Sequence, residues 1–116
     1  MKNVLQHKGY TGNVQFDADD MIFHGRVMGL KKAHISYEGK TVDEFVTDFK
    51  NAVNDYLGMC AEDAIEPEKP FKGSFNLRLD PDLHKRLVVN ALNEGKTLNA
   101  FVKDVLEKAV TKIQHA

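Results

Sequence analysis

The chain has no tryptophan, one cysteine and only three prolines. A single thiol, Cys60, cannot close a disulfide within the chain, and it excludes any zinc site built on paired cysteines. No apolar run is long enough to cross a bilayer. The opening residues, Met1 to Lys8, contain no apolar stretch of the secretory kind, so no signal peptide is expected and a cytoplasmic protein is. His7, His34, His84 and His115 have no partners at metal-ligand spacing, so neither a metal nor a cofactor is expected. Charge of one sign is also lacking: the net value of −1 is silent about nucleic acid until it is divided by region.

What is present suits a folded protein, with 42% apolar and 28% charged residues. A length of 116 residues allows one ordinary domain or two very small ones. Residues 1–70 carry 8 basic against 12 acidic side chains, and residues 71–116 carry 8 against 5. An acidic front joined to a basic back points to two modules with different partners. Phosphate attracts the second and repels the first.

In the front half, Tyr10, Gly12, Val14 and Phe16 alternate with polar residues, which predicts a half-buried strand over 10–17. Asp17, Asp19 and Asp20 follow in one turn. Two-metal hydrolysis needs carboxylates converging from separate elements, so these three predict a solvated turn and no catalytic site. Met21, Phe23, Gly25 and Val27 predict the inward face of a second strand, and Ala33, Ile35 and Tyr37 that of a third. Short connections make the three an antiparallel meander. His24 falls on its outward side; a contact with a partner protein is one reading and plain surface the commoner one.

Thr41 and Glu44 form a capping box that opens a helix. Val42, Phe45, Val46, Phe49, Ala52, Val53, Tyr56 and Leu57 recur at helical spacing, a stripe that must cover the sheet. The helix should end near Cys60, a small apolar residue there. The front module is thus a β-β-β-α layer over residues 1–61. Residues 62–72 hold Pro67 and Pro70 among charges and no period, which predicts a stiff linker.

Residues 73–116 change pattern. Phe75, Leu77 and Leu79 alternate strictly with Ser74, Asn76 and Arg78, a strand ended by Asp80 and Pro81 as the N-cap and first residue of a helix. Leu83, Leu87, Val88 and Ala91 line that helix, and Gly95 stops it. Thr97 caps a second helix with apolar Leu98, Phe101, Val102, Val105, Ala109, Val110 and Ile113. One strand and two short helices cannot satisfy the strand's backbone or bury its apolar face. A second copy can: two strands pair antiparallel about a two-fold axis and four helices close over them. The dimer core then holds Phe75, Leu77, Leu79, Leu87, Phe101, Val102 and Val105.

Such pairing leaves Ser74, Asn76 and Arg78 of both copies on the outer face of a two-stranded ribbon, which fits the major groove of DNA. Asn pairs with adenine and Arg with guanine, while Ser bonds almost any base. Lys72, Lys96, Thr97 and Asn99 sit where a strand entry and a helix start would meet phosphates. The bland alternatives are a polar strand face and ordinary helix capping.

Residues 74–110 resemble the Arc/MetJ ribbon-helix-helix repressors in Phe75-Asn76-Leu77-Arg78, in the proline-started helix, and in Gly95-Lys96-Thr97-Leu98-Asn99, similar to that family's Gly-x-Ser-x-Asn turn. Over residues 8–112 the chain looks like a HicB-family antitoxin. Lys8-Gly9-Tyr10-Thr11-Gly12, Phe23-His24-Gly25-Arg26-Val27, Leu83-His84-Lys85-Arg86-Leu87 and the run from Pro70 to Leu79 carry this resemblance. It implies an α+β protein: an N-terminal partial ribonuclease H-like domain that binds a HicA-type mRNA-cleaving toxin, and a ribbon-helix-helix dimer that represses its own operon at operator DNA. Two outward-facing front domains per dimer would also allow a tetramer. The competing expectations are a stand-alone regulator, whose front domain senses a ligand or mediates oligomerisation, and a nuclease using the front carboxylates.

Overall fold

The computed structural model describes residues 3–114; His115 lies outside them, as does the side chain of Ile113. It is an α+β structure with five strands in two small sheets and three helices. The strands are β1 (Val4–His7), β2 (Tyr10–Asn13), β3 (Gln15–Asp17), β4 (Ile22–Arg26) and β5 (Ser36–Gly39). The helices are α1 (Val42–Glu62), α2 (Pro81–Asn93) and α3 (Leu98–Gln114). The chain divides into two compact units, Met1–Ser74 and Phe75–Ala116.

Unit 1 differs from the expected β-β-β-α order by two strands. β1 pairs antiparallel with β2, and β3, β4 and β5 form a separate antiparallel meander. The alternating run 10–17 is therefore two strands, because the chain changes sheets at Val14. Asn13 Oδ1 accepts the Arg26 amide (2.8 Å) at the break, and a Gly12–Val27 bridge links the two sheets. Tyr10 and Gly12 are buried as predicted, but Val14 and Phe16 are exposed. Met21 is exposed too: it takes a left-handed conformation (φ 54°) in the turn before β4 instead of joining the inward face.

Helix α1 lies over this layer, as its stripe requires. Phe45, Phe49 and Val53 join Tyr10, Val27, Ile35 and Tyr37 in one core, while Val42 at the first turn is exposed. Thr41 caps α1 through the Glu44 amide (3.1 Å), and Glu44 reaches back to the Lys40 amide (2.9 Å). The Tyr37 ring stands at the centre of the core against Phe45 and Phe49. Its hydroxyl donates to the Asn13 carbonyl (2.8 Å), and burial pushes its pKa up to about 12. Gly12 and Gly25 both lie against this ring so closely that a Cβ at either would overlap it.

The expected linker is largely part of unit 1. Helix α1 runs on to Glu62 and ends with Ala64 in the left-handed region (φ 54°), where the Ile65 amide returns to the Cys60 carbonyl (2.8 Å). Beyond it, the Glu68 carboxylate accepts the amides of Lys31, Lys32 and Ala33 at 2.5, 3.0 and 2.9 Å. Phe71 donates its amide to the Gly29 carbonyl (3.1 Å) and lays its ring on Gly29.

In unit 2, Asp80 caps α2 through the Leu83 amide (2.9 Å), with Pro81 at the first position. Gly95 (φ 67°) ends it in a Schellman arrangement, the Lys96 amide reaching the Ala91 carbonyl (2.9 Å) and that of Gly95 the Leu92 carbonyl (3.0 Å). The strand expected at 74–80 has no pairing in the single chain. Its backbone N–H and C=O groups are left open to solvent or to a second strand.

Candidate functional site

Residues 72–80 are exposed throughout. Within them Phe75, Leu77 and Leu79 expose 74%, 59% and 37% of their surfaces, so an alternating apolar row faces solvent. Ser74, Asn76 and Arg78 interleave with it and are exposed as well. Among the described residues of unit 2 only Ala91 is buried. Leu87, Phe101 and Val102 are half-buried, and Val88, Val105 and Val110 are exposed. Helices α2 and α3 therefore pack on each other without closing a core, and the extended segment before them stays exposed.

The turn between α2 and α3 gathers Lys96, Thr97 and Asn99. Thr97 Oγ1 accepts the Ala100 amide (3.1 Å), so one amide that a phosphate could use is already occupied by the cap. Asn99 is exposed in the first turn of α3. Lys96 is drawn into the unit: its amine lies 2.8 Å from Asp104 and 3.7 Å from Glu94. The Asp104 hydrogen bond and charge raise the Lys96 pKa, and Lys96 in turn lowers that of Asp104. Sequence pattern alone missed this pairing because it spans the turn between the helices.

Unit 1 offers a different surface. Glu38, Asp43, Glu44 and Asp48 line an open cleft between β5 and the start of α1. Two of these carboxylates have structural work, Asp48 accepting the Glu38 amide (2.8 Å) and Glu44 that of Lys40. Asp17 accepts the amides of Asp19 (2.9 Å) and Asp20 (3.2 Å), which makes it the organiser of its own turn. Among the described residues no group of His, Cys, Asp or Glu side chains is arranged to hold a metal ion. His24 is exposed on β4, in register with Gln15 on one side and Glu38 on the other. Cys60 is buried near the end of α1. Among the same residues no helix is long and apolar enough to cross a membrane.

A family model gives one match. The HicB family model aligns with residues 56–106, from the last turns of α1 through the exposed row to the middle of α3. The match covers less than half of the chain, and it supports a HicB-family relationship for that stretch. No curated protein and no solved structure matches.

Proposed function

We propose that the chain is a non-enzymatic antitoxin of the HicB type that also represses its own operon. Unit 2 forms a ribbon-helix-helix dimer: residues 74–80 of two copies pair, and Phe75, Leu77 and Leu79 enter a core completed by Leu87, Phe101, Val102 and Val105. The ribbon presents Ser74, Asn76 and Arg78 to the major groove of operator DNA. Lys72, Thr97 and Asn99 meet phosphates, and Lys96 adds a smaller share because Asp104 competes for its charge. Unit 1, with the partial ribonuclease H-like fold of HicB N-domains, binds a small basic HicA-type toxin. Its acidic cleft and net negative charge favour that partner.

The observation that carries this reading is the exposed alternating row at 75–79 beside helices that bury almost nothing by themselves. The HicB match runs through that row and adds the functional context.

The test uses the full chain and the DNA upstream of its own reading frame. A dimer in sedimentation at micromolar concentration and a footprint over a pseudo-palindrome are expected. Arg78→Ala should cost about 1–3 kcal/mol of operator binding and relax sequence preference. An equal loss on operator and random DNA would remove Arg78 from base reading. A well-folded monomer would end the dimer model. For unit 1, the neighbouring small basic gene product should co-purify with the chain and lose its growth-arresting effect; failure of both would overturn the antitoxin role.

A further inference from the structure

The segment after α1 has the composition of a linker and the contacts of a fastening. The Glu68 carboxylate sits on three successive amides, those of Lys31, Lys32 and Ala33, a concave donor array suited to an anion. These bonds hold its pKa below the usual carboxylate value, the Ala33 amide contributing most. The backbone of the same residue is gripped from both sides. Its amide donates to the Tyr56 hydroxyl (2.9 Å), and its carbonyl accepts the Tyr10 hydroxyl (2.8 Å). Farther along, Phe71 adds its amide bond to Gly29 and its ring on the Cα of the same glycine.

The fastening is peripheral to the core that Phe49 and Val53 fill. Glu66, Lys69 and Phe71 are exposed, and no residue from 61 to 74 is buried. Its anchors are hydrogen bonds at Glu68 and Phe71 and one exposed ring, with no buried side chain, which is the construction of an element that opens locally at lower cost than the whole unit.

We infer that residues 65–71 are a detachable strap keyed by Glu68, and that its release lengthens the joint between the two units. With the strap seated, Lys72 and Gly73 are the free joint before the row that starts at Ser74. With it released, the tether begins at the end of α1, and each freed residue adds about 3.5 Å of reach. Gly73, at φ 86° with open space around it, gives the short joint its freedom to turn. The inference is independent of the toxin and DNA reading, since every contact in it lies within unit 1.

Amide hydrogen exchange on the full chain tests it, comparing the natural sequence with Glu68→Ala and with Tyr56→Phe. In Glu68→Ala the amides of Lys31, Lys32 and Ala33 lose their acceptor directly, so their faster exchange decides little. The diagnostic amide is that of Phe71, whose acceptor is the Gly29 carbonyl and neither substituted side chain. Both variants should make it exchange faster, about tenfold in Tyr56→Phe, the factor expected for losing one hydrogen bond of this kind, and more in Glu68→Ala, which loses three; chymotryptic cleavage after Phe71 should quicken in step. The core amide of Val53 should keep its protection. An unchanged Phe71 in both variants would mean the anchors act only locally, and the strap fails. Loss of Val53 protection together with Phe71 would make the segment core structure, and detachment fails equally.

Discussion

The two units solve the same problem to different degrees. Unit 1 lays one long helix over two small sheets and closes a core in which Phe49 and Val53 are 1% and 0% exposed. Unit 2 has two helices with well-formed caps and an extended segment, yet buries only Ala91 among its described residues. Local signals are equally clear in both, so caps and periodicity do not decide whether a segment is finished. What decides is whether the chain contains the surface that each apolar stripe must cover. Unit 1 contains it; unit 2 does not, and in the proposed dimer a second copy supplies it.

Substitutions should separate the units accordingly. The largest effect is expected from Leu77→Ala, which in the proposed dimer would remove from each of two copies a leucine that association buries, at about 2–5 kcal/mol apiece. Sedimentation should show dissociation at concentrations where the natural chain is dimeric, while unit 1 stays folded. An unchanged dimer would break the comparison, because the exposed row would then have no role in association. Phe49→Ala is the converse, costing unit 1 about 3–5 kcal/mol and leaving the dimer intact. The chain has three tyrosines, Tyr10, Tyr37 and Tyr56, and all lie in unit 1, so their near-ultraviolet signal reports that unit alone. Simultaneous loss of tyrosine signal and dimer would show the units to be one cooperative structure.

The smallest effect is one of pH. In the folded state the Tyr37 phenol ionises near 12, against 10.0 when unburied. Below about 10 both states hold the proton, and the full stability is present. Above that the unfolded chain gives up its proton first, so unit 1 should lose up to about 1.4 kcal/mol per pH unit until about 12. Melting followed by tyrosine absorbance would measure it. Tyr37→Phe should flatten the alkaline slope, and an unaltered slope would assign it to other groups.

Much of this architecture was legible in the sequence. Thr41, Asp80 and Thr97 mark three helix starts and Gly95 a helix end, because each acts within a few residues of itself. The stripe from Phe45 to Leu57 states its own burial, as does the alternation of Ile35 and Tyr37 about exposed Ser36. Less visible was β1, whose apolar content is Val4 and Leu5 and whose last residue, His7, is held by Asn54 (2.9 Å) and the edge of Phe49. The end of α1 has no glycine at its stop: Gly58 lies inside the helix and Ala64 adopts the left-handed conformation. The strap was hidden for a different reason. Its prolines and charges have linker composition, and its meaning lies in contacts between Glu68 and amides more than thirty positions away. For the candidate site, alternation at 74–79 gave the row, but only the folded turn shows Lys96 committed to Asp104.

The aromatic peg in the middle of unit 1 carries an evolutionary corollary. Tyr37 fits because positions 12 and 25 have no side chains, and its hydroxyl reaches the carbonyl of residue 13 where the chain passes from one sheet to the other. Three loci distant in sequence thereby share a single volume. Among descendants of this chain they should drift as a linked set, a bulkier residue at 12 or 25 surviving only where 37 has shrunk to make room.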